Sequence, residues 1–314
     1  MKMLVTGATG FIGYRLVRHL KECGHDIVCT VRKTSKIRPL EELGVRLVVA
    51  DISDGPRVDK VFDDERPEYV FHCAARVKAD SLEEYWPANV TGTLNICRAS
   101  FAHEVSRLIY ISSVAVVSGN AEVPLVESLP YNTTTLYGES KIEAEKIAIE
   151  YREKGLNVAI LRPCMVYGEG EPHALGRIID LVRKRYIPLP GINDINDKLR
   201  LVYVDNVVHA IELAMKEEKA LEGTYFVADR EIITIRGFIE TISDELGAGR
   251  PFVVPGWAVK LALKMPPVRR RFERVFKDRV YDIVRATALL GYDPEVTTEE
   301  GLRRSVRYWK ERNG

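Results

Sequence analysis

An apolar run at residues 3–6 meets a stretch whose apolar positions, Ile12, Leu16, Val17 and Leu20, have helical spacing. The junction between them reads Thr6-Gly7-Ala8-Thr9-Gly10-Phe11-Ile12-Gly13. Glycines three residues apart at a strand-to-helix turn narrow the possible folds sharply. Gly7 permits the tight turn, Gly10 lets backbone approach a pyrophosphate, and Gly13 allows the helix to pack closely on the strand. The helix N-terminus adds free N–H groups and the positive end of its dipole. A merely glycine-rich turn is the alternative, but the strand before and the helix after argue for a dinucleotide loop. Its candidate cofactor contacts are Gly7, Thr9, Gly10, Phe11, Ile12 and Gly13.

The rest of the first half repeats this alternation. Apolar runs of strand length stand at residues 3–6, 26–31, 45–50, 69–73, 108–112 and 157–161, with helical periodicity between them. Runs apolar on both faces and separated by helices predict a parallel sheet covered on both sides. Right-handed crossovers make it a doubly wound α/β fold, with ligands at the carboxyl ends of the strands. The pattern breaks after Arg162-Pro163. Beyond it the spacing predicts a helix near 175–186, a loop at 188–197, a strand near 199–203 and a helix at 205–216. A strand at 224–227 and a helix at 235–246 follow, and the last seventy residues read as mostly helical. Residues 1–165 are therefore expected to form the dinucleotide-binding domain. Residues 166–314 are expected to form a smaller substrate region, with 199–227 packing back on the first domain.

Composition excludes several classes. With 46 Lys and Arg against 45 Asp and Glu, the formal net charge is +1, so no global field attracts nucleic acid. Five cysteines without a C-x-x-C pair suit neither a disulfide framework nor a zinc ribbon, and no metal is expected. No apolar run approaches the ~18 residues of a spanning helix. The chain opens Met1-Lys2 and enters a strand at once, which predicts no signal peptide and a cytoplasmic location.

Cofactor choice is read at the second strand, which ends Thr30-Val31-Arg32-Lys33. An acidic residue there would bind the ribose 2′-hydroxyl and select NAD. Arg32 instead offers a guanidinium suited to a 2′-phosphate, favouring NADP over NAD, although a solvated basic loop is the plain reading. Asp51, ending the third strand, is the candidate for the adenine edge. After the fourth strand, Cys73, Ala74 and Ala75 are small enough for backbone to pass close to the cofactor, and His72 is read as structural.

Tyr137 and Lys141, four apart in Tyr137-Gly138-Glu139-Ser140-Lys141, fall on one helical face. An ammonium beside a phenol is expected to lower the tyrosine pKa from ~10, giving an acid–base group usable near neutrality. Y-x-x-x-K alone is usually a surface pair. Here Ser112-Ser113 ends the fifth strand on the cofactor side, 24 positions before Tyr137.

At this point the chain resembles the extended short-chain dehydrogenases/reductases, the branch containing dihydroflavonol reductases, 3β-hydroxysteroid dehydrogenases and nucleotide-sugar epimerases. The motifs are TGATGFIG, ADISD, HCAA, NVTGTLN, YISSVAV, YGESK, LRPCMVYG and LVYVDNVVHA, in the family's order and over nearly the whole length. The resemblance implies that Ser113 orients the substrate oxygen and that Tyr137 is the acid or base. Lys141 would hold the nicotinamide ribose and tune Tyr137. Ile52, Asn89, Arg162, Pro163 and Val166 join the implied cofactor contacts. The implied activity is NADP-dependent interconversion of a ketone or aldehyde with an alcohol, in a homodimer formed through the helices near 89–102 and 137–151. One alternative is a nucleotide-sugar epimerase or dehydratase with bound NAD. Another is a non-catalytic NAD(P)-binding regulatory protein, which would have no need to keep Ser113, Tyr137 and Lys141 together.

Two departures matter. After YISSVAV the chain reads Val117-Ser118-Gly119 where the family often continues V-Y-G, outside the proton-transfer set. The G-D-G-x-Q-x-R-D-F segment common in sugar-nucleotide enzymes is replaced by residues 191–201, in which only Arg200 is recognisable. That favours the reductase side. Finally, Arg269-Arg270-Arg271-Phe272-Glu273-Arg274-Val275-Phe276-Lys277 interleaves aromatics with cations. A membrane-surface element spanning 257–277 and an arginine cluster for a substrate diphosphate are the sharper readings. The plain one is a solvated helix face with Phe272 and Phe276 packed inward.

Overall fold

The computed structural model describes residues 1–192 and 197–313, without the side chains of Glu222, Arg271 and Arg274. Residues 193–196, within the segment compared above with the sugar-nucleotide motif, lie outside the described residues.

Six strands follow one another in the first half: β1 (Lys2–Thr6), β2 (Asp26–Val31), β3 (Arg46–Val49), β4 (Tyr69–His72), β5 (Arg107–Ile111) and β6 (Val158–Pro163). Later come β7 (Met165–Tyr167), β8 (Leu189–Gly191), β9 (Lys198–Leu199), β10 (Leu201–Tyr203), β11 (Thr224–Val227), β12 (Ile233–Thr234) and β13 (Val253–Pro255). The main sheet is parallel, in the order β11-β6-β5-β4-β1-β2-β3. It is a doubly wound α/β sheet with its switch point between β1 and β4, where a crevice opens at the carboxyl ends. The sequence pattern gave it six strands. The seventh, β11, is recruited from far along the chain and pairs with β6 in the register Thr224–Ile160 to Val227–Pro163.

Alternation along the strands divides the core. Met3, Val5, Ile27, Cys29, Phe71, Ile109 and Ile111 face one layer, with Leu16, Val17 and Leu20 of the helix Phe11–Glu22 and Val207, Val208 and Ile211 of the helix Val204–Lys216. Leu4, Val28, Val70, Leu108 and Tyr110 face the other, with Val58, Val61 and Phe62 from Gly55–Glu65, Ile96 and Cys97 from Gly92–Ala102, and Ala144 and Ala148 from Leu136–Glu153. The period of two in the strands and ~3.6 in the helices is why these segments bury two-sided.

A third cluster joins Tyr167, Ile179, Val182, Tyr203, Ile239, Ile242, Leu302 and Val306. It carries the two-stranded pairs β10-β7, β12-β9 and β13-β8 beside the main sheet. Among the described residues no helix is long and apolar enough to cross a membrane, and no His/Cys/Asp/Glu group has metal-holding geometry.

Candidate active site

The glycine loop follows β1 at the switch point. Gly7 has φ +70°, and a Cβ there would stand 2.6 Å from the Ala74 Cα and nitrogen. The turn after β1 and the Cys73–Ala74 turn after β4 are thus in backbone contact. At Gly13 a Cβ would meet the Gly7 carbonyl oxygen at 2.2 Å, so the helix Phe11–Glu22 sits as close to the loop as backbone allows. That helix begins at Gly10 with no side-chain cap and no acidic residue in its first turn. Its first N–H groups remain available to an anion.

His72, ending β4, is fully buried between Thr6 Oγ1 at 2.7 Å and Thr93 Oγ1 at 3.0 Å. Burial, aided by the nearby Lys141 ammonium, pushes its pKa down to about 3. It is a neutral joint between β1, β4 and the helix Gly92–Ala102. Arg32 stands exposed at the end of β2, its N–H donating to Ser35 Oγ at 3.0 Å. Asp51 is exposed after β3, with one carboxylate oxygen accepting from the Ser53 N–H and hydroxyl. Ile52 lies against Gly92, where a Cβ would meet its Cδ1 at 2.5 Å.

Ser113 follows β5 and accepts a hydrogen bond from the Ala115 N–H at 3.2 Å. Tyr137 opens the helix Leu136–Glu153, capped by Thr135, whose hydroxyl accepts from the Gly138 N–H at 3.0 Å. The Ser113 hydroxyl acts on the Tyr137 phenol, favouring its ionised form. Both line a cleft of about 610 Å³. One turn deeper, Lys141 is buried and donates from Nζ to the Ile111 carbonyl at 2.7 Å, with Nζ 4.4 Å from the centroid of the Tyr110 ring.

The electrostatics correct one sequence expectation. Tyr137 is not lowered below 10; burial raises it to about 12 against the opposing Ser113 hydrogen bond. Lys141 donates to the Ile111 carbonyl, and burial brings its own pKa down to about 7, with Glu145 and Cys73 resisting.

Two expected cofactor contacts have their side chains committed elsewhere. Asn89 donates to the Arg76 carbonyl at 3.0 Å and to Ser140 Oγ at 2.8 Å, and accepts from the Arg76 N–H at 2.7 Å. It clamps the chain leaving β4 to the helix Leu136–Glu153. The buried Arg162 guanidinium pairs with Glu145 and donates to the Glu127 carbonyl. Pro163 ends β6, and Val166 is half-buried in β7 beside Val202.

Several residues were missed. Glu145 is fully buried and receives Arg162, the Ser112 hydroxyl at 2.5 Å and the Tyr131 phenol at 2.9 Å. Its signal was available: it continues the i, i+4 face of Tyr137 and Lys141, next to the core residue Ala144. Tyr85 takes the Ala79 N–H at 3.0 Å and donates to the Val77 carbonyl at 3.3 Å, 6.1 Å ring to ring from Tyr137. Only tertiary structure brings it there.

The cleft wall is mostly apolar, with Val77, Val114, Leu136, Met165, Leu199 and Leu201 among its members. Arg200 lines it too, but its guanidinium donates to the backbone carbonyls of Asp229, Tyr281 and Arg230 at 2.9, 2.8 and 3.0 Å.

Residues 3–228 match the model of the NAD dependent epimerase/dehydratase family. The chain is a member of this family. It is 30% identical to a 2-alkyl-3-oxoalkanoate reductase of Stenotrophomonas maltophilia, over 97% of this chain and 98% of that one. It is 29% identical to a 3-beta-hydroxysteroid dehydrogenase of Mycolicibacterium neoaurum, over 98% and 91%. A UDP-glucose 4-epimerase from Thermotoga maritima, solved with UDP-glucose, superposes with a TM-score of 0.81 at 24% identity, covering all of both chains, and shares the fold. The chain is thus an NAD(P)-dependent oxidoreductase of the extended short-chain type, in a family whose members include both dehydrogenases and epimerases.

Proposed function

We propose that the chain is an NADP-dependent enzyme that interconverts an apolar ketone or aldehyde with its alcohol. One observation carries the substrate class: the cleft beside Ser113 and Tyr137 is walled largely by aliphatic side chains, and of its two arginines, Arg200 and Arg279, the first is spent on three backbone carbonyls. A sugar diphosphate would need a free guanidinium and polar walls for its hydroxyls. The two sequence relatives named above, one acting on oxoalkanoates and one on hydroxysteroids, support the same side.

The residues fit a dinucleotide. Side chains at Gly7 and Gly13 are excluded by backbone, and the uncapped helix start at Gly10 suits a pyrophosphate. The backbone from Gly7 to Gly13, with Arg32, Asp51, Cys73, Ala74 and Ala75, would hold it, and Lys141 would reach its nicotinamide ribose. When bound, the cofactor supplies or accepts the hydride. Ser113 donates a hydrogen bond to the substrate oxygen and orients it. Tyr137 gives that oxygen a proton in reduction and removes it in oxidation. The exposed Trp86, Leu94 and Phe101, near the helices of the expected two-fold contact, support a homodimer.

Turnover of long-chain oxo compounds, hydroxysteroids and UDP-sugars with NADPH and NADH is the direct test. Reduction of an apolar carbonyl compound is expected; activity confined to UDP-sugars overturns the substrate class. For the cofactor, the parent is expected to bind NADP about tenfold or more tighter than NAD, a difference of about 1.4 kcal/mol. Arg32→Asp is expected to reverse that order in Kd measurements. Equal Kd values in the parent would refute the role given to Arg32.

A further inference from the structure

The stretch from β13 through the helices Gly256–Ala262 and Pro266–Val275 is barely buried. Val259 is the one buried side chain described between Gly256 and Val275. Trp257 is 71% exposed, and Leu261 and Met265 are 58% exposed each. Trp257 and Leu261 are four apart in the helix Gly256–Ala262, Met265 stands between the two helices, and Phe252 and Val268 are also exposed. Phe272 and Phe276 do not pack into the core as the plain sequence reading had it. They lie against each other, both half-buried, with centroids 4.3 Å apart and ring planes tilted by 30°. Helices of seven and ten residues are marginal in water without a covered face. A set of large apolar side chains left in solvent marks a contact surface.

Charge says what the contact is. Residues 256–277 hold seven Lys and Arg against the single acid Glu273, in a chain whose net charge is only +1. Lys260, Lys264, Arg269 and Arg270 are exposed near the apolar side chains, and among the described residues Arg269 is the one of these that is ion-paired, with Glu273 at 2.7 Å. A second copy on the same face would set cations against cations. An anionic lipid surface offers phosphates to the cations and acyl chains to Trp257, Leu261 and Met265.

We propose that residues 252–277 dock the protein onto an anionic lipid bilayer, with the exposed Trp257, Leu261 and Met265 entering the acyl boundary. The surface lies close along the chain to the cleft, since Arg279, two residues past Lys277, lines it. The proposal stands on exposure and charge and does not rest on the substrate assignment.

The test uses the full chain with vesicles of phosphatidylcholine alone and of phosphatidylcholine mixed with phosphatidylglycerol. Sedimentation is expected to show at least about tenfold stronger partition into the anionic vesicles, weakened by salt. Brominated acyl chains should quench tryptophan emission in the parent, and Trp257→Phe should remove that quench. Leu261→Ser with Met265→Ser, and separately Arg269→Glu with Arg270→Glu, should each lower partition by about tenfold or more. All four residues are exposed, so circular dichroism and turnover of a water-soluble substrate should not change. No partition by the parent, equal partition into neutral vesicles, or undiminished partition by both double variants would overturn the proposal. So would concentration-dependent self-association that shields Trp257, which would assign the face to a second copy.

Discussion

Tyr137→Phe is expected to lower kcat by about 10²–10⁴-fold, the usual contribution of a positioned general acid or base. The phenol lines the same cleft as Ser113, and phenylalanine keeps the ring that meets Tyr85 while removing the proton. The Kd for NADP should change little, because the glycine loop and Lys141 are untouched. The pH dependence adds a second readout. With its pKa raised to about 12, Tyr137 is protonated through the neutral range, so reduction should be flat there with respect to this group. Oxidation of the alcohol needs the phenolate and should rise with pH towards that value. Stopped-flow or steady-state rates in both directions check this. Turnover by the variant within about tenfold of the parent would remove Tyr137 from the mechanism.

Glu145→Ala carries the largest expected effect on stability. It leaves the Arg162 guanidinium buried opposite a cavity and takes the acceptor from Ser112 and Tyr131. Breaking one side of a buried ion pair costs about 3–5 kcal/mol, because the remaining charge has neither water nor partner. Urea unfolding should show that loss, and a change below about 1 kcal/mol would mean the pair is not what holds the two elements. Glu145→Ala combined with Arg162→Met should recover part of it, since the apolar side chain needs no partner. The same contact ties the helix that carries Tyr137 to β6, so kcat should fall with stability in the single variant and return in part in the double.

The parts of the molecule legible in the sequence are those written within one element. The Thr6–Gly13 loop declared itself because its glycines, the strand before and the helix after are contiguous. Tyr137 and Lys141 fell on one face by helical spacing alone. The third member of that face, Glu145, passed unread because its partners Ser112, Tyr131 and Arg162 come from other segments. A carboxylate in a helix is ordinarily a solvated one. The tyrosine pKa was misjudged for a related reason: spacing placed the ammonium beside the phenol, while the Ile111 carbonyl that holds Lys141 belongs to β5. Arg162 and Asn89 are cofactor contacts only by what the family resemblance implies, and long-range hydrogen bonds occupy their side chains.

The recruitment of β11 reaches beyond strand order. Without Thr224–Val227, β6 would become an edge, presenting a row of unpaired backbone donors and acceptors beside side chains built for burial. A cut after residue 165 therefore would not release a self-contained cofactor module. Any C-terminal portion grafted onto this first half must bring its own closing strand in the register of residues 160–163. The substrate-side sequence is free to vary in its cleft wall, but it is bound to return once to the sheet.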